Sequence, residues 1–290
     1  MHKEVSAHRV KGRLSMTFAY DDTSQETRMV VCDQVPPLRV IRAFPLAGGA
    51  TLVHMHNLSG GILGGDHLSI SANIGPRATV QLTSTSATRI YRSSPTAPIA
   101  TQTYSIQIRE GGLLEYLPDP LIPFAGSRYQ QQTHIDLTHD AGLFWWETIT
   151  PGREAHGEVF GYEQLHLAAE ITALGKPLAI ERMKIEPQQR APSSPTRLGS
   201  FPYFCSFYIC KVGLGATSWL QLEQQLSTLA QELSRPMDIS WGVSTLVAHG
   251  LLVRAVSRQG RDIPTGLLAF WQAAKLALYG QEAIPPRKIY

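Results

Sequence analysis

The chain has 290 residues, 43% of them hydrophobic and 17% charged, with a formal net charge of +3. That balance predicts one globular domain over residues 1–290, with a packed core and few surface charges, so part of its surface is available to protein partners. No Lys/Arg run or basic stripe interleaved with aromatics points to nucleic acid, and no stretch reaches the roughly 20 consecutive apolar residues of a membrane span.

The opening MHKEVSAHRVKGRLSMTFAY lacks the apolar core and small-residue cleavage site of a secretory signal, so a cytoplasmic protein is expected. From Leu14 to about Glu186 apolar residues recur mostly at period two, separated by Gly, Pro, Asn, Asp and Ser. This predicts consecutive strands without intervening helices and argues against a βαβ design. ATLVHMHNL sets Leu52, His54, His56 and Leu58 on one face against Val53 and Met55. YSIQIREGGLLEYL places a Gly111-Gly112 turn between two strand-like runs, as in a hairpin. ATVQLTSTSATRIY, THIDLTHDAGLFWWETI and YEQLHLAAEI also read as strands.

Residues 186–200, EPQQRAPSSPTRLGS, read as an extended surface excursion, flexible when the protein is alone. In TSWLQLEQQLSTLAQELSRP, residues Trp219, Leu222, Leu226, Leu229 and Leu233 share one helical face. Ser218 and Gln221 form the expected capping box, and Pro236 the stop. GVSTLVAHGLLVRAVS reads as a further strand, and a second helix is expected from about Pro264 to Tyr279, capped by Gly280. The fold class is therefore mainly β, completed by two C-terminal α-helices.

SGGILGGDHL has the wrong glycine spacing for a dinucleotide loop, and a strand-like run rather than a helix follows Asp66. Gly60, Gly61, Gly64 and Gly65 instead suit tight turns that present Asp66 at a defined place. TSTSATRIYRS puts Arg89 and Tyr91 on one face of a strand and Arg92 on the other, which suits a docking surface or anchors for a neighbouring loop. In LEYLPDPLIPFAGSRY the prolines place Glu115 and Asp119 at a strand end or in a rigid loop. ETITPGREAHGE gathers Glu147, Arg153, Glu154, His156 and Glu158 around a Pro-Gly turn, where they can bind a divalent metal, act as acid and base, or simply pair at the surface. His54 and His56 could bind metal from one strand face, although no third ligand adjoins them in sequence. No hydrolase elbow, zinc-protease helix or catalytic cysteine setting is present, and Cys32, Cys205 and Cys210 read as reduced, buried thiols.

In this order and spacing, SGGILGGDHL, TSTSATRIYRS, LEYLPDPLIPFAGSRY, PGREAHGE and the terminal PPRKIY resemble the motif series of the urease accessory protein family UreD, called UreH in some bacteria. The chain departs from that series at Ser84 to Ser86, where the family usually has Gln-Ala, and at Tyr290, where it usually has Trp. The resemblance implies a single domain with a β-helix-like stack of strands and two helices. It also implies a non-enzymatic maturation factor that binds urease apoprotein and the helical protein UreF, which recruits the nickel-carrying GTPase UreG. Nickel delivery to urease would follow, with no tightly bound cofactor but transient Ni²⁺ passing through the chain. Weak oxygen and nitrogen ligands suit such transit, because a closed thiolate site would trap the ion. By their place in or beside the family motifs, Asp66, Glu115, Glu147, His156 and Glu158 are the candidates for that route. Arg89, Tyr91, Arg92 and Arg153 are the candidates for partner contact. A docking scaffold without metal transit and a metal-dependent enzyme remain as alternatives.

Overall fold

The computed structural model describes residues 9–286, so the end of PPRKIY, from Arg287, and the first eight residues lie outside the described residues. The chain opens with the antiparallel pair β1 (Lys11–Asp21) and β2 (Glu26–Val35). Short strands β3 (Leu38–Arg39) and β4 (Ala43–Pro45) both pair with β5 (Thr51–Asn57). Then come β6 (His67–Ile74), β7 (Thr79–Ser84), β8 (Thr88–Ile90), β9 (Ala100–Ile108) and β10 (Leu113–Tyr116). These are followed by β11 (Leu121–Pro123), β12 (Arg128–Leu137), β13 (Gly142–Ile149), β14 (Gln164–Ala173), β15 (Lys176–Ile185) and β16 (Tyr203–Lys211). Helix α1 (Ala216–Leu233), the hairpin β17 (Ile239–Thr245) and β18 (Gly250–Ser257), and helix α2 (Asp262–Tyr279) complete it.

The main strands divide between two sheets, ordered β15-β14-β12-β9-β6-β1-β2 and β17-β18-β16-β13-β10-β7-β5-β3. From β5 to β14 the chain repeatedly crosses from one sheet to the other. Strands β5, β7, β10 and β13 pair in parallel within one, and β6, β9, β12 and β14 do so within the other. The expected stack of strands is present. The Gly111-Gly112 turn is an arch between sheets, however, not a hairpin within one. Its local signal is the same in both cases: Gly111 has φ +63°, while a Cβ on Gly112 would stand 2.9 Å from the Arg109 carbonyl oxygen. What makes it an arch is its neighbours, since Arg77 N donates to Glu110 O and Gly111 N to His139 O, stacking it between the arches before and after.

Strand alternation sorts the side chains into layers. Leu14, Met16 and Phe18 of β1, Ile70 and Ile74 of β6, and Leu143 and Trp145 of β13 belong to a core between the sheets. Phe144 and Trp146 point the other way, into a second core with Trp219, Leu222 and Leu226 of α1 and Phe270 and Trp271 of α2. Strand β13 is apolar from Leu143 to Trp146 because both its faces are covered there. The resulting three layers are sheet, sheet and helices.

Several local expectations need correction. Helix α1 begins at Ala216 with Gly215 as N-cap and no side-chain capping bond, so Ser218 and Gln221 form no capping box. GVSTLVAHGLLVRAVS is not one strand but most of the β17–β18 hairpin, turned between Thr245 and Gly250. Glu115 lies one residue from the end of β10 and Asp119 in the loop beyond, but β10 is flanked by β7 and β13, and the prolines act only after Tyr116. Residues 186–200 form a series of turns in which Pro192 is buried and Leu198 packs on the inter-sheet core. Gly280 caps α2 in the left-handed region, as the sequence suggests. Cys205 and Cys210 are buried free thiols pushed up to about 12 by desolvation, whereas Cys32 is half-buried. Among the described residues no helix is long and apolar enough to cross a membrane.

Candidate functional site

The glycine-rich stretch folds between β5 and β6. Gly60 and Gly65 take positive φ of +72° and +90°. A Cβ on Gly61 would fall 2.5 Å from the Tyr91 ring and 2.7 Å from the Arg89 carbonyl oxygen, so only glycine fits under Tyr91. Ile62 pairs with Ile90 through the Arg89 carbonyl, and the Tyr91 hydroxyl donates to Gly60 O at 3.2 Å. Asp66 is only 2% exposed, and its carboxylate accepts from Leu63 N at 2.9 Å and Val10 N at 3.3 Å. It closes the turn on itself.

Beside that turn a half-enclosed cavity of about 80 Å³ enters the space between the sheets, large enough for several waters. Its mouth is lined by His56, Gly60, Gly61, Thr85, Arg89 and Asp119, and its inner end by Gln102, Tyr104, Tyr116, Gln131 and Glu147. A second cavity of about 10 Å³, the room of a single water, continues past Glu147 to Glu181 and Ser206. A third, of about 370 Å³, opens beyond Glu181 beneath Pro192, Arg197 and Leu198, with Arg254 at its wall. The first two share Glu147 and Ile149, and the last two share Glu181, Met183, Phe204 and Ser206.

A hydrogen-bonded row runs along this space. Gln102 Nε2 donates to the Tyr104 hydroxyl at 2.9 Å, and the Tyr129 hydroxyl to Gln102 Oε1 at 2.8 Å and Gln131 Oε1 at 3.1 Å. Gln131 Nε2 in turn donates to Glu147 Oε1. Protein encloses Glu147, yet its carboxylate faces the cavities and is half-buried rather than sealed. Desolvation pushes its pKa up to about 7; the Gln131 bond offsets this in part, and the charge of Glu181 adds to it. Desolvation likewise pushes the Tyr104 phenol up to about 12, so the tyrosines here act as neutral donors.

The other candidates lie elsewhere. Glu115 faces the helices: Lys275 Nζ stands 2.7 Å from Oε1, Trp271 Nε1 donates to the same oxygen at 3.2 Å, and Gln81 Nε2 donates to Oε2 at 3.1 Å. Glu158 pairs with Arg153 and accepts from Ala125 N at 3.1 Å, contacts that hold its pKa down at about 2. His156 is exposed in the short turn before it. The Arg153 guanidinium sits 4.1 Å above the Phe124 ring, against which Tyr91 packs edge-on at 5.2 Å. Tyr91, Arg153 and Glu158 are thus brought together around Phe124, while Arg89 and Arg92 are exposed beside them. His54 packs edge-on against Phe44, and among the described residues no three His, Cys, Asp or Glu side chains are grouped to hold a metal ion.

Sequence reasoning missed Gln102, Gln131, Glu181 and Arg254. A readable signal existed for the two glutamines, which occupy inward positions of alternating strands where an aliphatic residue is the norm. Arg254 carries none, because only the pairing of β16 with β18 sets it level with Ser206 and Glu147.

The family model for the UreD urease accessory protein matches residues 10–289. The urease accessory protein UreD of Herpetosiphon aurantiacus is 44% identical over 290 residues, covering the whole of both chains. Those of Pseudomonas fluorescens and Pseudomonas aeruginosa are 33% and 32% identical, each over 94% of this chain and 92% of their own. With a match from its first described strand to its last helix, the chain belongs to the UreD family of urease accessory proteins.

Proposed function

We propose that this chain is a non-enzymatic factor in urease maturation that docks on urease apoprotein and on UreF, which recruits the GTPase UreG, and that it passes Ni²⁺ through the space between its sheets. The observation that carries the reading is the line of cavities that share lining residues, with the ionisable Glu147 at its narrowest part. Carboxylate, amide and hydroxyl oxygens bind a divalent transition ion weakly enough for it to move on. Within the route Glu147 is the central ligand. His156 and Glu158 lie on the Pro-Gly turn beside the Tyr91 and Phe124 cluster, which with Arg89, Arg92 and Arg153 serves as the docking face.

A scaffold role is favoured for Asp66, Glu115 and Glu158, because each carboxylate is already committed to amides or a cation. Co-expression with the host's UreF, UreG and urease apoprotein, followed by mass analysis and nickel-dependent activation, tests the reading. A stoichiometric complex whose omission of this chain abolishes activation is expected; a chain that stays alone and proves dispensable would overturn it.

A further inference from the structure

At the far end of the cavities the register of the inner sheet aligns three side chains across adjacent strands. Glu147 of β13 stands opposite Ser206 of β16, and Ser206 opposite Arg254 of β18. From the facing sheet, Glu181 of β15 reaches this row: Arg254 Nη2 lies 3.1 Å from its Oε1, and the Tyr208 hydroxyl donates to its Oε2. Glu147 and Glu181 therefore address the same water-sized cavity from opposite sheets, close enough for the charge of one to be felt by the other.

We propose that Arg254 is a built-in stopper at the outer end of the route: its guanidinium holds Glu181 until a divalent cation displaces it and takes the Glu147 and Glu181 carboxylates together. This rests on the interior route proposed above and adds its regulation. Three features fit such a device. The Arg254 side chain is 57% exposed while that of Glu181 is 21% exposed, so the cation is the loosely held partner. An exposed pair of this kind contributes little to stability, so opening it costs little. The residue paired with Arg254 on the edge strand is Gly242, where a Cβ would touch nothing, which leaves the guanidinium room to swing outward. A divalent ion between two carboxylates has both the higher charge and two oxygen ligands of the preferred kind, and so outcompetes a monovalent guanidinium on one of them.

Equilibrium dialysis of the full chain with Ni²⁺ alone tests this, with melting temperatures measured to show that each variant is folded. Arg254→Met should bind Ni²⁺ about fivefold more tightly than wild type, the gain expected from removing one weak competing ion pair. Arg254→Lys should restore wild-type affinity, and adding Glu181→Gln to Arg254→Met should abolish the gain. If Glu147→Gln weakens binding but Arg254→Met does not strengthen it, or if the gain survives Glu181→Gln, the stopper is overturned while the route stands. If Glu147→Gln and Glu181→Gln both leave Ni²⁺ binding unchanged, the route itself falls and the stopper with it.

Discussion

Glu115 and Glu147 lie on neighbouring strands of one sheet, and protein encloses both. Register separates them, because Glu115 pairs with Phe144 and therefore shares the helix-side face, whereas Glu147 shares the inter-sheet face with Trp145. On the helix side the charge of Glu115 is fully answered: Lys275, with a side chain only 6% exposed, and two neutral donors surround it. Between the sheets Glu147 has one amide donor and open space on two sides. A buried carboxylate with a buried cation joins two layers. Under the proposed route, one without a cation, facing cavities, is held ready for a charge that is not part of the chain.

The largest expected effect comes from breaking the satisfied side. Lys275→Met leaves Glu115 charged and unpaired in the helix-side core and should cost about 3–5 kcal/mol in denaturant unfolding. Combining it with Glu115→Gln should recover most of that loss, since the penalty lies in the orphaned charge. If Lys275→Met were as stable as wild type, the two carboxylates would not differ in the way described.

A smaller effect separates the two by pH. The folded state holds the Glu147 proton up to about 7, against an ordinary value of 4.5, so between those values it binds more protons than the unfolded chain. Stability must then fall as pH rises through that window, and Glu147→Gln should remove the slope. Unfolding at about pH 5 and about pH 8 should show wild type losing on the order of 2 kcal/mol relative to Glu147→Gln. Equal slopes would mean that Glu147 is solvated like a surface carboxylate.

Much of the β architecture was readable, because Leu14, Met16 and Phe18 or Leu165, Leu167 and Ala169 carry their alternation openly. What could not be read is where each strand goes. The turn at Gly111 and Gly112 looks the same whether it joins neighbours in one sheet or bridges two, so the division into layers stayed hidden, and with it the separation of Glu115 from Glu147. Alternation assigns residues to two faces within a strand; only pairing relates the faces of different strands. The start of α1 was missed for another reason: Gly215 caps it with backbone alone and leaves no side-chain signature. The glycine turn was anticipated in kind, but the packing of Tyr91 on Gly61 spans 30 positions and has no local trace.

The smallest expected effect lies at the surface pair. Glu158 is held down at about 2 by Arg153, so its contribution is present above the ordinary carboxylate value and fades as pH falls towards about 2. Arg153→Ala should lower stability only slightly at neutral pH, read by denaturant titration, even though it also removes the guanidinium from the Phe124 ring. A much larger cost would place this pair with Lys275 and Glu115 as a joint of the fold rather than a feature of the docking face.

The central claim is that Glu147, unlike Glu115, serves passage and not stability, and the most direct measurement is urease activation at limiting nickel by the accessory complex carrying Glu147→Gln. The account predicts a complex that assembles, with a variant at least as stable as wild type at neutral pH or higher, and with activation strongly reduced and partly restored by excess nickel. Full activation at limiting nickel by that variant would contradict it.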